Sequence, residues 1–143
     1  MITFFDEIKV STTKPIEFID ITDDVTSIIK NSKVSTGYAI IFSQHTTGAI
    51  RISEFESSLM TDLAAFFEKL APESGNYLHN TTNVDNRRNA HSHLQSILLN
   101  SSETVPIKDG KLMLGKWQKI FFIEVDGSRT ERKITIEVVG NER

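Results

Sequence analysis

Apolar and polar residues alternate towards the end of the chain. Ile134, Ile136 and Val138 are separated by polar residues, so one face of a strand over Arg132–Val139 is expected to be buried and the other polar. Alternation, or a concentration of β-branched and aromatic residues, predicts the other strands. These lie around residues 4–10, 16–18, 37–42, 49–52, 103–107 and 116–125.

Apolar residues recur with a helical period in three places. Thr22 is expected to cap a helix that ends near residues 31–32, and a second helix is predicted over residues 57–70, where Pro72 follows. Asn89 is expected to cap a third helix that buries a stripe of Leu94, Ile97 and Leu98. The second helix is expected to place its apolar face in the core, namely Leu59, Leu63, Phe66, Phe67 and Leu70.

The segments between these elements indicate how the strands connect. Asp109-Gly110 and Asp126-Gly127 are strong hairpin signals, and residues 71–88 have no period and are expected to form a long loop. Consecutive hairpins favour an antiparallel sheet over alternating βαβ units. The fold class predicted is α+β, a largely antiparallel β-sheet sandwich with about three covering helices, in a single domain over residues 1–143.

Composition narrows the class of function. The formal charge of −3 has no long run of one sign, which disfavours nucleic-acid binding, and the basic group Arg129, Arg132 and Lys133 is interpreted as a solvated hairpin. No apolar run reaches the roughly 18 residues that a membrane span needs, and the N-terminus does not resemble a signal peptide, so a cytoplasmic protein is expected. Without cysteines, any metal must be held by His, Asp, Glu or water.

The first candidate site follows a predicted buried strand. His45 is followed by Thr46, Thr47 and Gly48, so an imidazole, two hydroxyl groups and closely approaching backbone can converge on one ligand. A purely structural role for His45 at the strand end fits the same pattern. Glu54 lies after the next strand and is a candidate general base, metal ligand or orienting partner of His45, or a helix-cap acid.

The other histidines lie later in the chain. His79 falls in the long loop, and His91 and His93 form the sequence NAHSH beside Asn89, a candidate for loop hydrogen bonding or substrate contact. Two imidazoles two residues apart can share a cation from an extended segment, whereas a helix turns them about 200° apart. If the helix begins at Asn89, one of the pair is therefore expected to point away from any given site.

The order of several motifs resembles the YjbQ-like family, some members of which are described as secondary thiamine-phosphate synthases. The motifs are HTTGAI with ISE at 45–54, PE-x-G-x-Y-x-HN at 72–80, NAHSHL at 89–94, the G-x-W-Q region within 102–120 and E-x-D-G-x-R at 124–129. The chain departs from the family pattern at Lys116, at Ser128 and in the segment with Arg87 and Arg88. The resemblance implies an antiparallel α+β fold and a homotrimer in which two subunits can shape a site.

The resemblance also implies a chemistry. A divalent metal, zinc or magnesium, would be bound by histidines at positions 45, 79, 91 and 93, and a small phosphorylated metabolite would be the substrate. His45 and Glu54 are the candidate catalytic residues, and the substrate-binding candidates are Thr46, Thr47, Asn89 and Arg129. The implied reaction joins a pyrimidine pyrophosphate to a thiazole phosphate. The alternatives are a non-catalytic metal- or metabolite-binding trimer and a metal-assisted phosphoester hydrolase.

Helical geometry sharpens the histidine set. Since His91 and His93 are not expected to serve one metal from one helix, we favour a site of three histidines with the fourth outside it. His93 is the histidine expected to lie outside.

Overall fold

A computed structural model describes residues 1–82 and 85–142. Its strands are β1 (Ile2–Thr12), β2 (Glu17–Asp20), β3 (Thr36–Ser43), β4 (Gly48–Ser53), β5 (Ser102–Lys108), β6 (Lys111–Leu112), β7 (Lys119–Glu124) and β8 (Arg129–Asn141). The helices are α1 (Thr22–Ser32), α2 (Ser57–Leu70) and α3 (Ala90–Ile97), with a short 3₁₀ helix at Leu78–Thr81. Within these residues, no helix is long and apolar enough to cross a membrane.

The strands form two antiparallel sheets. The larger has the order β1-β8-β3-β5-β6 and the smaller the order β2-β7-β4. This arrangement confirms the predicted α+β class with antiparallel sheets and three α-helices. The 3₁₀ helix lies within the predicted long loop at 71–88, of which residues 83–84 are outside the described residues.

The smaller sheet lies between two apolar layers. Ile120 and Phe122 of β7 join the core formed with α1 and the larger sheet, whereas Phe121 and Ile123 point to the opposite face and pack in a second core with α2. Strand β7 is thus buried on both faces, which explains why its sequence is a continuous apolar run rather than an alternating one. The strand ends at Glu124, a carboxylate that is fully buried.

The two predicted hairpins have different outcomes. Asp109-Gly110 does form a hairpin turn, with positive φ angles of 52° and 73°, but the turn joins β5 to the short strand β6. The strand predicted to follow it, at 116–125, corresponds to β7 and lies in the other sheet. The prediction for Asp126-Gly127 is wrong, because β7 and β8 belong to different sheets. A Cβ added at Gly127 would lie 1.9 Å from the Lys14 carbonyl oxygen, so glycine is needed where the chain passes close to that backbone.

Helix α3 buries the opposite face from the one predicted. Leu94, Ile97 and Leu98 are 43%, 79% and 66% exposed. The buried side carries polar side chains, which donate hydrogen bonds to backbone carbonyl groups at the ends of other elements. Gln95 donates to the carbonyls of Phe67 and Ala71, while Ser92 and Ser96 donate to those of Val125 and Gly48.

Helix α2 has the predicted bounds, but its buried face is shifted. Phe67 and Met60 are buried, whereas Phe66 and Leu70 are 54% and 48% exposed. The expectation that the whole apolar face is core is therefore wrong for these two residues. Together with α3, they leave apolar surface uncovered in the single chain.

Candidate functional site

The principal cleft lies where β4 begins and α3 passes beside it. It encloses about 520 Å³, and the polar groups along it come from His45, Thr46, His93, Ser96 and Ser101. Gly48 forms part of its wall, and a Cβ there would lie 2.6 Å from the Phe122 ring, so a larger residue would displace the core beneath. The structure thus brings His45 and Thr46 into one cleft.

The orientation of the His45 ring is set by the adjacent strand. Its Nε2 accepts a hydrogen bond of 2.9 Å from the backbone N–H of Lys133 in β8. Because that nitrogen acts as an acceptor, the proton of the neutral ring is assigned to Nδ1. His45 therefore has an N–H as its remaining polar group, which makes it a hydrogen-bond donor rather than an acceptor.

The surroundings of His45 favour its neutral form. Partial burial lowers its pKa from the ordinary value of 6.5, and the positive charge of Arg132 lowers it further, although the carboxylate of Glu124 acts in the opposite direction. A neutral ring with a defined tautomer suits hydrogen bonding to an anionic group.

A buried ion pair lies behind His45. Arg132 is 4% exposed and Glu124 is fully buried, and the guanidinium nitrogens lie 2.6 and 2.8 Å from the two carboxylate oxygens. Arg132 also donates to the carbonyl and hydroxyl oxygens of Thr47, while Thr12 donates to Glu124. These contacts tie the loop containing His45 to β7 and β8.

The sequence interpretation missed this ion pair. The prediction that Arg132 lies on a solvated hairpin is wrong. Thr47 is 3% exposed and bonded to Arg132 rather than lining the principal cleft. The alternation of Ile134, Ile136 and Val138 continues back to Arg132 and would have placed it on the buried face. Glu124 gave no comparable signal, because it follows a run of apolar residues.

A second cleft, of about 330 Å³, lies at the start of α3. His91 lines it together with Arg87, Arg88 and Asn89. The two histidines of NAHSH therefore face different clefts, as expected for residues two apart on a helix. His91 is separated from the cleft of His45, and His93 lies in it, so the preferred arrangement with His93 outside is wrong.

Asp126 organises the second cleft. Its carboxylate accepts hydrogen bonds of 2.7 to 2.8 Å from Arg87, Asn89 and Arg129. Despite the opposing effect of burial, these donors lower the pKa of Asp126 from 3.8 to about 2. Asn89 occupies the predicted N-cap position of α3, but its side chain makes no capping hydrogen bond, and the N–H of Ala90 donates to Oδ1 of Asn80 instead.

His79 does not line the principal cleft but contacts His93, which does. The 3₁₀ helix places its ring 4.9 Å from that of His93, centroid to centroid, in an edge-to-face arrangement. Both histidines also line a neighbouring apolar depression that includes Tyr77 and Leu94. Of the four histidines, 79 and 93 are therefore in direct contact and 45 shares a cleft with 93.

Glu54 is not beside His45. It is exposed and follows the C-terminal end of β4, whereas His45 precedes the N-terminal end. At about 3.3 Å per residue, the two ends of this strand are roughly 17 Å apart. The expected local partnership is therefore not formed within the chain, and the acid that caps α2 is Glu56, which accepts from the backbone N–H groups of Ser58 and Leu59.

The histidines do not form a metal-binding group in the single chain. Across residues 1–82 and 85–142, no three His, Asp or Glu side chains are arranged to hold an ion. His45 is also unsuited in its present hydrogen bonding, because Nε2 is occupied by an N–H donor and Nδ1 carries the proton. A metal at Nδ1 would require loss of that arrangement.

The fold and cleft define a class of small antiparallel α+β proteins with a histidine-lined site beside a buried ion pair. Residues 6–141 match the family model described as "UPF0047 protein YjbQ-like". The chain belongs to this family, which confirms the resemblance in its motifs.

Individual relatives agree over nearly the whole chain. A UPF0047 protein of Methanothermobacter thermautotrophicus is 41% identical over 98% of this chain and 94% of its own length. One from Archaeoglobus fulgidus is 41% identical over 90% of this chain and 96% of its own. The crystal structure of a related protein from Sulfolobus solfataricus P2 has a TM-score of 0.92 and 39% identity, covering 97% of this chain and 98% of that one.

Proposed function

We propose that the principal cleft binds a phosphate-bearing metabolite and catalyses a group transfer on it. The observation that carries the proposal is the state of His45, a ring with one nitrogen hydrogen-bonded to β8 and an N–H left as its other polar group. An N–H donor and hydroxyl groups from Thr46 and Ser101 suit phosphate oxygens. His93, on the opposite wall, is the candidate acid or base.

The reaction we propose is the transfer implied by the family resemblance. The bond between the pyrimidine methylene carbon and the pyrophosphate oxygen breaks, and its electron pair leaves with pyrophosphate. The thiazole nitrogen supplies the electron pair for the new carbon–nitrogen bond, so no oxidant or reductant is needed. The His45 N–H would hydrogen-bond the departing oxygen, where negative charge develops.

A divalent cation is an alternative source of that stabilisation. Zinc or magnesium was expected from the four histidines, but the arrangement in the single chain does not fit a histidine-bound ion. We therefore assign the principal contribution to the N–H and hydroxyl donors. Assays with EDTA and with each added cation distinguish stabilisation by a metal from stabilisation by N–H and hydroxyl donors. A strict metal requirement would contradict our assignment.

The test is product formation from the two thiamine precursors. We expect wild type to form thiamine phosphate and His45→Asn and His93→Asn to lower its rate by roughly 10²-fold or more. His91→Asn is the matched control, because it changes a histidine of α3 that faces the second cleft. A wild-type protein that binds pyrophosphate at this cleft but forms no product would favour the alternative, a metabolite-binding protein without turnover.

We also propose that the chain forms a homotrimer. Phe5, Tyr38 and Phe42 are 63%, 42% and 38% exposed and lie on one face of the larger sheet, on both sides of β8. Uncovered aromatic surface of this kind is typical of an interface. Light scattering after gel filtration should give three times the mass of 16.1 kDa, and Phe5→Ser should weaken the assembly. A wild-type monomer at micromolar concentration would contradict this.

A further inference from the structure

The second cleft contains polar atoms that the protein itself does not satisfy. Asn89 is 5% exposed, and its Oδ1 is buried without a hydrogen-bond partner among the described residues. Nδ1 of His91 and Nε of Arg87 are likewise buried without a hydrogen-bond partner among the described residues. Buried polar atoms are nearly always paired, so three unsatisfied ones lining or bordering one cleft point to a bound molecule.

The orientation of the Asn89 amide is determined by its neighbour. Its nitrogen lies 2.8 Å from a carboxylate oxygen of Asp126, which needs a donor there and would repel the amide oxygen. Oδ1 is therefore the atom left unpaired, and it can only accept. A ligand that satisfies it must bring a hydroxyl or another donor.

The tautomer of His91 follows from Ser92 in the same way. The Ser92 hydroxyl donates its proton to the Val125 carbonyl at 2.5 Å, so its oxygen can only accept from His91 Nε2, which lies 3.4 Å away. In the neutral ring the proton thus belongs on Nε2. Nδ1 is then a second unpaired acceptor beside that of Asn89.

Two arginines that line the cleft can bind an anion, Arg87 and Arg88. Asp126 is already paired with Arg87 and Arg129, and Asp85 and Glu73 bring the nearby charges to three of each sign. Arg88 is exposed and has no ion pair among the described residues. The first turn of α3 adds the positive end of a helix dipole that no Asn89 side chain caps.

We propose that this cleft is a second ligand site, separate from that of His45, for a small metabolite in which a phosphate group lies next to two hydroxyl groups. Arg88 and Arg87 Nε bind the phosphate, and Asn89 Oδ1 and His91 Nδ1 each accept from one hydroxyl. The site needs both features, because the arginines alone would bind any anion. Helix α3 separates it from the principal cleft.

The test compares two probes at constant ionic strength, inorganic phosphate and glycerol 3-phosphate, by NMR titration of the full chain. Glycerol 3-phosphate should bind roughly fivefold more tightly, as expected for one or two additional hydrogen bonds. The amides of residues 87–92 should shift. Arg88→Gln should weaken both probes roughly fivefold, whereas Arg51→Gln, which changes a half-buried arginine in β4 outside this cleft, should change neither.

His91→Phe removes one of the two acceptors while keeping a ring of similar size, so it should reduce the preference for glycerol 3-phosphate. Equal binding of the two probes by wild type, or a preference that His91→Phe leaves unchanged, would overturn the proposal. So would shifts confined to residues 45–48 and 93–101. His45→Asn should leave binding at residues 87–92 unchanged, so failure of the proposed group transfer and failure of this site are distinguishable.

Discussion

Two carboxylates lie two residues apart where β7 leaves its sheet, and they serve different clefts. Glu124 is fully buried and pairs with Arg132, which holds Thr47 and so the loop that carries His45. Asp126 lies at the surface edge of the core and is 8% exposed. It accepts hydrogen bonds from two arginines and from Asn89 at the start of α3. Each therefore supports the neighbouring cleft without being required to touch its ligand.

The difference lies in how much each carboxylate depends on one partner. Glu124 has one cationic partner, and water does not reach it, so removing Arg132 leaves an uncompensated buried charge. Asp126 shares its charge between two arginines that are 37% and 31% exposed. We conclude that the cleft of His45 rests on a rigid internal pair, and the second cleft on a network that tolerates loss of a member.

The largest expected effect on stability comes from changing Glu124 and Arg132. Arg132→Met should lower the free energy of unfolding by about 3–5 kcal/mol, measured by urea denaturation. The double variant Glu124→Leu/Arg132→Met should recover part of that loss, because no charge is left buried. Glu131→Gln, an exposed neighbour, is the control and should change stability by about 0.5 kcal/mol or less. A similar small effect for Arg132→Met would contradict the importance of the pair.

The next effect is on Asp126. Asp126→Asn removes the charge that two arginines share and should lower the free energy of unfolding by about 1.5–3 kcal/mol. The pKa of Asp126 is lower in the folded protein than in the unfolded chain, so its contribution is present above pH 4 and is lost as the pH falls towards 2. Wild type should lose more stability over that range than Asp126→Asn. Parallel pH profiles would argue against the network.

A smaller effect concerns His45. Because its pKa is lowered, the folded state favours the neutral ring, so this contribution to stability is present above about pH 6.5 and declines below it. NMR of the ring nitrogens should show the proton on Nδ1 at neutral pH and a pKa below 6.5. Arg132→Lys keeps a positive charge near His45, so it perturbs the surroundings of the ring less than Arg132→Met in the same NMR measurement. A proton on Nε2 would contradict the hydrogen bond from Lys133.

The smallest effect is expected for Glu54. Since Glu54 and His45 lie beyond opposite ends of β4, which are roughly 17 Å apart, Glu54→Gln should leave the His45 titration unchanged and alter stability by about 0.5 kcal/mol or less. The measurement is the same NMR titration. A changed His45 titration that appears only in the assembled trimer would instead show that Glu54 reaches the site of a neighbouring subunit.

The sequence by itself determined most of the strands, the helix bounds and the fold class, because hydrophobic periodicity reports which face of each element is buried. Helix α2 has its predicted bounds, and Asp109-Gly110 forms a turn, although with β6 rather than with the predicted strand at 116–125. Motif order also identified the family. The periodicity of α3 predicted the wrong buried face. Its serines and Gln95 are buried because they form hydrogen bonds to distant carbonyls that no local pattern encodes.

Only the tertiary structure decided which side chains share a site. His91 and His93 are neighbours in sequence but face different clefts, whereas His45 and His93 are distant in sequence and share one. The partnership of Glu124 with Arg132 joins two sheets, and strand pairing between distant segments creates it. Sequence names the groups able to do chemistry, but their distances and protonation depend on packing between elements that are far apart along the chain.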